Sequence, residues 1–212
     1  MYLKIIDFSR YTSLKIGSAL PVWVLEKNDE KFFYALESSQ VWDRLCECKL
    51  THECMQDTKC RLDLLDLATN LAQTTQITPT KKTSKKPYTC IGNGYNLLIS
   101  PNAKNLVLLS NEFDYITKSK DSKNTIEVGA KTSSSSLFRF CKEHNLGGLE
   151  FLSALPGSVG GLVKMNAGMK QYEIKDTLIE ICINGKWRRD FSLEYRTSDI
   201  DGIISVARFS LK

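Results

Sequence analysis

The stretch GLEFLSALPGSVGGLVKMNAGM, residues 148–169, decides how the rest of the chain is read. It holds five glycines, Pro156, Ser158 and Asn166 in a run that is otherwise apolar and nearly free of charge. A plain connection between a helix and a strand does not need so many glycines. Apolar residues kept beside glycine turns suit a buried loop shaped around a flat, partly apolar ligand. Backbone N–H groups and a few hydroxyls or amides would then fix the ligand's polar edge. The competing reading is a buried turn that binds nothing.

Upstream, IGNGYNLLI at residues 91–99 places a tight turn between two apolar runs. Gly92 and Gly94 permit positive φ and let a ligand come close to the backbone. Successive backbone amides in such a turn can form a concave anion site. Taken alone, a bland hairpin turn explains the segment equally well.

Around these segments, short β-prone runs alternate with turns: Tyr88 to Ile91, Leu97 to Ile99, Leu106 to Leu109, Thr125 to Val128, Leu178 to Ile183 and Ile203 to Phe209. Strand-like runs also occur near the start, at Leu3 to Ile6 and Val22 to Leu25. The serines at 133–136 are N-cap candidates for a helix running to His144, with Leu137, Phe138, Phe140 and Cys141 on its apolar side. Leu146-Gly147-Gly148 is expected to end that helix, with glycine at positive φ. Asn184-Gly185, between ICI and KW, is the strongest short hairpin signal in the chain. A second helix is expected from Arg61 to Ala72, on the spacing of Leu62, Leu64, Leu65, Leu67, Ala68 and Leu71. Residues 74–87 have the Thr, Lys and Pro bias of a loop. The pattern is neither a clean βαβ alternation nor an all-β sandwich, so the fold class is α+β.

Composition sets the outer limits. A chain of 212 residues with 42% hydrophobic and 25% charged side chains is ordinary for a globular protein. No apolar run has the length of a membrane span, and the N-terminus lacks a cleavable leader pattern, so retention in the cytoplasm without a membrane partner is expected. The net charge of +5 suits anionic ligands such as nucleotides. Much of it comes from Lys81, Lys82, Lys85 and Lys86, a run that reads as a solvated loop rather than a nucleic-acid site. Cys46, Cys48, Cys54 and Cys60, with His52, have the atoms for a zinc site, but their spacing is irregular and Cys-x-Cys is a poor chelating pair. Free thiols, and no metal, are expected.

The order and spacing of the motifs resemble one family. TSLKIG (12–17), IGNGYNLLI (91–99), the long segment from Thr125 to Gly168 and EYRTSDI (194–200) are similar to four ordered motifs of the UDP-N-acetylenolpyruvoylglucosamine reductases. That resemblance implies a two-lobed FAD-binding fold of the vanillyl-alcohol-oxidase type. Residues 1–100 would form the first lobe, with an atypical insert at about 30–87, and residues 101–212 the second. It implies FAD as cofactor, NADPH as reductant, and reduction of a UDP-sugar enolpyruvyl ether to the lactyl ether of UDP-N-acetylmuramate, in peptidoglycan precursor synthesis. Carried over by position, Gly92, Asn93, Gly94, Asn96 and Leu97 would meet the pyrophosphate. Gly157, Ser158, Gly160, Gly161, Asn166 and Gly168 would line the flavin.

Tyr195 and Arg196 would meet the substrate. Arg196 would hold its carboxylate bidentately and stabilise the charge that develops there. Ser198 would brace that loop. Tyr95 departs from the family, which has serine at this place in the pyrophosphate turn, and Ala154 stands where a glycine is usual. No match to the family's later Gly-Ser-x-Phe-Lys-Asn-Pro motif, which carries the proton donor, occurs in these residues. A C-terminal substrate domain, or a separate partner chain, is therefore expected to be missing and the chain alone inactive. The rival reading is a flavin-binding remnant with no turnover.

Overall fold

The computed structural model describes residues 1–32, 88–119 and 122–212. The expected helix at Arg61 to Ala72, the lysine run and the clustered cysteines lie outside those residues.

Alternating and continuous apolar runs build two sheets. The first takes β1 (Tyr2–Asp7), β2 (Ala19–Leu25), β3 (Thr89–Cys90) and β4 (Leu106–Leu109) in the order β1-β2-β4-β3. β1 is antiparallel to β2, whereas β4 runs parallel to both β2 and β3. All four residues of β4 are buried, as the central strand of a parallel set must be. Asp7 caps α1 (Phe8–Tyr11) by accepting from the Ser9 amide at 3.0 Å. Phe8 then plugs a small core with Leu20, Val22, Ile91 and Ile99. Because β4 pairs with β2, the first sheet extends past residue 100, through Leu109.

The second sheet is antiparallel throughout. It comprises β5 (Ile116–Lys118), β6 (Thr125–Gly129), β9 (Leu178–Ile183), β10 (Lys186–Arg188) and β13 (Ile204–Ser210), in the order β10-β9-β13-β6-β5. Asn184 and Gly185 both take positive φ, 49° and 76°, in the two-residue turn joining β9 to β10. That is the geometry the Asn-Gly pair announces. Two helices pack on this lobe: α2 (Ser134–Glu143) and α3 (Val159–Lys164). After α3 come the small hairpins β7 (Gly168–Met169) with β8 (Tyr172–Glu173), and β11 (Leu193–Glu194) with β12 (Thr197–Ser198).

Two local expectations need correction. The start of α2 is as read, with the Ser133 hydroxyl accepting from the Ser136 amide at 3.0 Å. Its end is not made by glycine. Asn145 takes the left-handed position at φ 52°, the Leu146 amide reaches the Cys141 carbonyl at 2.9 Å, and the Asn145 amide reaches that of Lys142 at 3.3 Å. This is a Schellman end, which asparagine supports because it tolerates the left-handed region. Leu97 to Ile99 forms no strand. Ile99 is buried in the small core while Leu98 is exposed, so the segment has a strand's alternation without a pairing partner there.

Candidate functional site

The two lobes meet at a cavity of about 230 Å³. One wall is the end of β3 and its turn, Cys90 to Asn93, backed by Tyr11, Leu108 and Leu109. The facing wall is Ala130, Lys131, Ser158, Gly160, Gly161 and Lys164, and Asp201, Gly202 and Ile204 also line it.

Backbone contacts position these groups. The amides of Val159 and Gly160 donate to the carbonyls of Thr132 and Ala130, each at 2.8 Å. The α3 start is thereby sewn to the end of β6. A Cβ added to Gly160 would stand 3.0 Å from the Ala130 Cβ and 3.3 Å from its carbonyl oxygen, so this approach favours glycine. A Cβ on Gly92 would fall 2.6 Å from the Ser158 Oγ. The two motifs, 66 positions apart in sequence (158 − 92), therefore face each other across a gap too narrow for a side chain.

Of the residues read from sequence, Gly92, Asn93, Ser158, Gly160 and Gly161 line the cavity. Gly94, Asn96 and Leu97 sit further along the turn, which is tied to the TSLKIG segment. The Ser13 amide donates to the Gly94 carbonyl at 3.0 Å, and the Asn96 amide to the Ser13 hydroxyl at 3.0 Å. Gly157 lies just behind Ser158, its carbonyl accepting from the Ser134 amide at 2.9 Å.

Asn166 is fully buried and spends its side chain within the protein. Its Nδ2 donates to Glu173 Oε2 at 2.9 Å, and its Oδ1 accepts from the Lys175 amide at 3.0 Å. Gly168 pairs with Glu173 in the β7–β8 hairpin. Tyr195 and Arg196 form the exposed two-residue tip of the β11–β12 hairpin, the Arg196 guanidinium 5.2 Å from the Tyr195 ring centre. The root of that hairpin reaches the cavity wall. Ser198 Oγ donates to the Lys164 carbonyl at 2.7 Å, and the Lys164 ammonium donates to the Ile200 carbonyl.

Sequence reasoning missed Tyr11, Lys131 and Lys164. Tyr11 donates its hydroxyl to the Gly92 carbonyl, and burial pushes its phenol pKa up to about 12. Only its position beside TSLKIG could have pointed to it. Lys164 is a single charge inside an apolar, glycine-bearing stretch, which was a usable signal; Lys131, followed by Thr132 and four serines, stands in no such stretch.

The donor set favours an anionic ligand with a flat apolar part. Ser158 is 4% exposed and stands at the N-cap of α3, but its hydroxyl makes no cap hydrogen bond and has no partner among the described residues. It lines the cavity together with two lysines and the glycine-rich backbone, while Ile91, Leu108 and Ile204 offer apolar surface. A dinucleotide with a diphosphate and a ring system fits that chemistry. Among the described residues, no three His, Cys, Asp or Glu side chains are grouped to hold a metal, and no helix is long and apolar enough to cross a membrane.

Comparison with known proteins agrees with this. The model of the FAD binding domain family matches residues 65–185. The chain belongs to that family and has its two-lobed α+β fold of the vanillyl-alcohol-oxidase type. Within that class it is similar to UDP-N-acetylenolpyruvoylglucosamine reductases, as the four ordered motifs indicated. That of Helicobacter hepaticus is 54% identical over 121 residues, covering 56% of this chain and 45% of the relative. That of Helicobacter pylori strain J99 is 36% identical over 206 residues, covering 96% of this chain and 58% of the relative. The crystal structure of UDP-N-acetylenolpyruvylglucosamine reductase from Thermus caldophilus superposes with a TM-score of 0.63 at 24% identity, over 100% of this chain and 63% of that one. The chain thus spans about half the length of the curated relatives it matches.

Proposed function

We propose that this chain is the flavin-binding part of a cytoplasmic reductase that converts the enolpyruvyl ether of UDP-N-acetylglucosamine to UDP-N-acetylmuramate, with NADPH as reductant. The observation that carries the proposal is the cavity itself. The Gly92-Asn93 turn and the Ser158–Gly161 segment, the two motifs matched to the family's cofactor loops, form facing walls of one site at the seam of the lobes. In this reading the turn from Gly92 to Leu97 holds the pyrophosphate, and the segment from Gly157 to Gly168 shapes the flavin site. Asn166 and Gly168 act there by fixing the loop that follows α3.

FAD, when bound, supplies hydride transfer between NADPH and the enolpyruvyl double bond. The chain's own contribution to the substrate is Arg196 with Tyr195. As a hydride reaches the terminal carbon, negative charge spreads into the neighbouring carboxylate. A guanidinium holding that carboxylate stabilises it more as the charge grows. Arg196 sits at positive φ, 61°, on an exposed turn where glycine or asparagine would fit with less strain. Strain kept at such a place is the kind found at functional sites. Protonation of the enolate needs a placed donor, which we assign to the Gly-Ser-x-Phe-Lys-Asn-Pro motif of a longer protein or a partner chain.

The purified chain should take up FAD and release it to the supernatant on acid precipitation. It should reduce that flavin slowly with NADPH, return it to the oxidised form in air, and make no UDP-N-acetylmuramate. A colourless protein that takes up no FAD would overturn the reading. Product formed by these 212 residues alone would show that the proton donor is misplaced.

A further inference from the structure

The charge on the second wall is placed with more care than a solvated lysine needs. β3 and β4 run parallel with Cys90 opposite Val107, and the Ile91 amide donates to the Val107 carbonyl at 2.8 Å. Two residues further along each strand, Gly92 and Leu109 therefore reach the same end of the sheet. The Lys131 Nζ donates to the Leu109 carbonyl at 2.8 Å, which sets its ammonium beside the head of the glycine turn. Its backbone is held as well, since its amide donates to the Phe113 carbonyl at 3.1 Å and the preceding Ala130 carbonyl accepts from Gly160.

An ammonium carries three donors, and Leu109 takes one of them. Among the described residues Lys131 forms no ion pair. Burial pushes its pKa below the ordinary lysine value, against an upward pull from Asp114. A partly desolvated cation without a carboxylate partner gains from an anion entering the cavity it lines. The unpartnered Ser158 hydroxyl and the Gly92-Asn93 turn border the same space.

We propose that Lys131 is the cation that binds the diphosphate of the ligand in this cavity, so that the cofactor is selected by its charge as well as by its ring. This rests on the reading that FAD occupies the site. It is tested on the 212-residue chain by measuring Kd for FAD, riboflavin and inorganic pyrophosphate in the wild type, Lys131→Met and Lys131→Arg. Methionine keeps the length and apolar stem of the side chain and removes the charge.

The expected result is an FAD Kd raised about ten- to hundredfold in Lys131→Met, the scale of one charge-assisted contact. Riboflavin binding should barely change, and Lys131→Arg should recover most of the affinity for FAD. Unchanged FAD binding, or equal losses for FAD and riboflavin, would overturn the proposal, because a merely structural tie between lobes would affect both ligands alike. A wild type that ignores FAD but binds pyrophosphate through Lys131 would leave this proposal standing and remove the flavin reading. One that binds neither would remove both. Should Lys131→Met not fold, lysine acetylation of the wild type decides the matter. Pyrophosphate must protect Lys131 and leave exposed Lys142 reactive, and equal labelling of Lys131 with and without it counts against us.

Discussion

The two glycine-rich segments look alike in sequence, and set side by side each divides its glycines between packing the chain and bordering the cavity. In residues 148–169 the glycines at the ends serve the protein. A Cβ on Gly148 would stand 2.9 Å from Thr177 Cγ2, and one on Gly168 would stand 2.5 Å from the Tyr172 carbonyl oxygen. Only Ser158, Gly160, Gly161 and Lys164 of this segment line the cavity. Residues 91–99 divide in the same way: a Cβ on Gly94 would stand 2.9 Å from the Tyr11 ring and carbonyl, whereas Gly92 borders the cavity and a Cβ there would meet the Ser158 Oγ at 2.6 Å. Glycine enrichment thus has two causes that sequence alone does not separate: close packing of the chain on itself, and room left for something else.

The largest expected effect tests the packing half of that contrast. Gly168→Ala forces a Cβ into the Tyr172 carbonyl and the Glu173 backbone, contacts that no rotamer can relieve. It should destabilise the fold by about 3 kcal/mol. Chemical denaturation reads this, and FAD affinity should fall only as far as the folded fraction does. Loss of FAD from a variant of unchanged stability would mean that Gly168 serves the ligand after all.

Gly92→Ala should do the reverse. Its new methyl meets the end of a short side chain, which can rotate away, so the cost to folding should be about 1 kcal/mol or less. FAD affinity should drop about tenfold or more, because the methyl fills the gap between the two walls. Combining it with Ser158→Ala separates crowding from lost hydrogen bonding. A double variant that binds better than Gly92→Ala alone shows crowding, and additive losses show two independent contacts.

Tyr11→Phe removes the bond that anchors the turn from behind and should cost about 1 kcal/mol. The phenol's pKa is raised in the folded state, so the neutral form is the one that folding favours. Its contribution is fully present below the unfolded tyrosine value of about 10. It is lost as pH rises from there towards the folded value of about 12. Between those pH values the wild-type Tm should fall more steeply than that of Tyr11→Phe, and parallel curves would refute the assignment.

How much could be read without coordinates follows the same division. The start of α2, the β9–β10 hairpin and most strands were legible, because serine caps, an Asn-Gly pair and alternation act within a few residues. β5 was missed because three residues, Ile116–Lys118, are too few to show a period. The cofactor turn and its counterpart were legible as motifs. The lysine and tyrosine that complete the cavity were not, since their roles come from the register of β3 on β4 and from contacts between lobes. No local signal encodes those. Asn145 ending α2 in place of the nearby glycines is a similar case, decided by which residue the last helical turn delivers to the left-handed position.

The smallest expected effect on stability concerns the third motif, the hairpin tip at Tyr195-Arg196, which is exposed and does not line the cavity. Arg196 holds a left-handed conformation on an exposed turn, with its guanidinium 5.2 Å from the Tyr195 ring centre. Arg196→Gly relieves that backbone strain, while glycine's greater freedom in the unfolded chain takes some of the gain back. The balance should be a stabilisation of about 0.5 kcal/mol, visible as a small rise in Tm. Arg196→Ala removes the same guanidinium and keeps the strain, so it should leave Tm unchanged. In a longer protein that turns over, the two should behave alike, each lowering kcat by a few orders of magnitude because each removes the charge that holds the carboxylate. Stability and turnover would then move independently at one residue. That is the signature of a position kept for chemistry at the expense of local comfort. Should Arg196→Gly be both more stable and fully active, the arginine is an ordinary surface residue and the carboxylate must be held elsewhere.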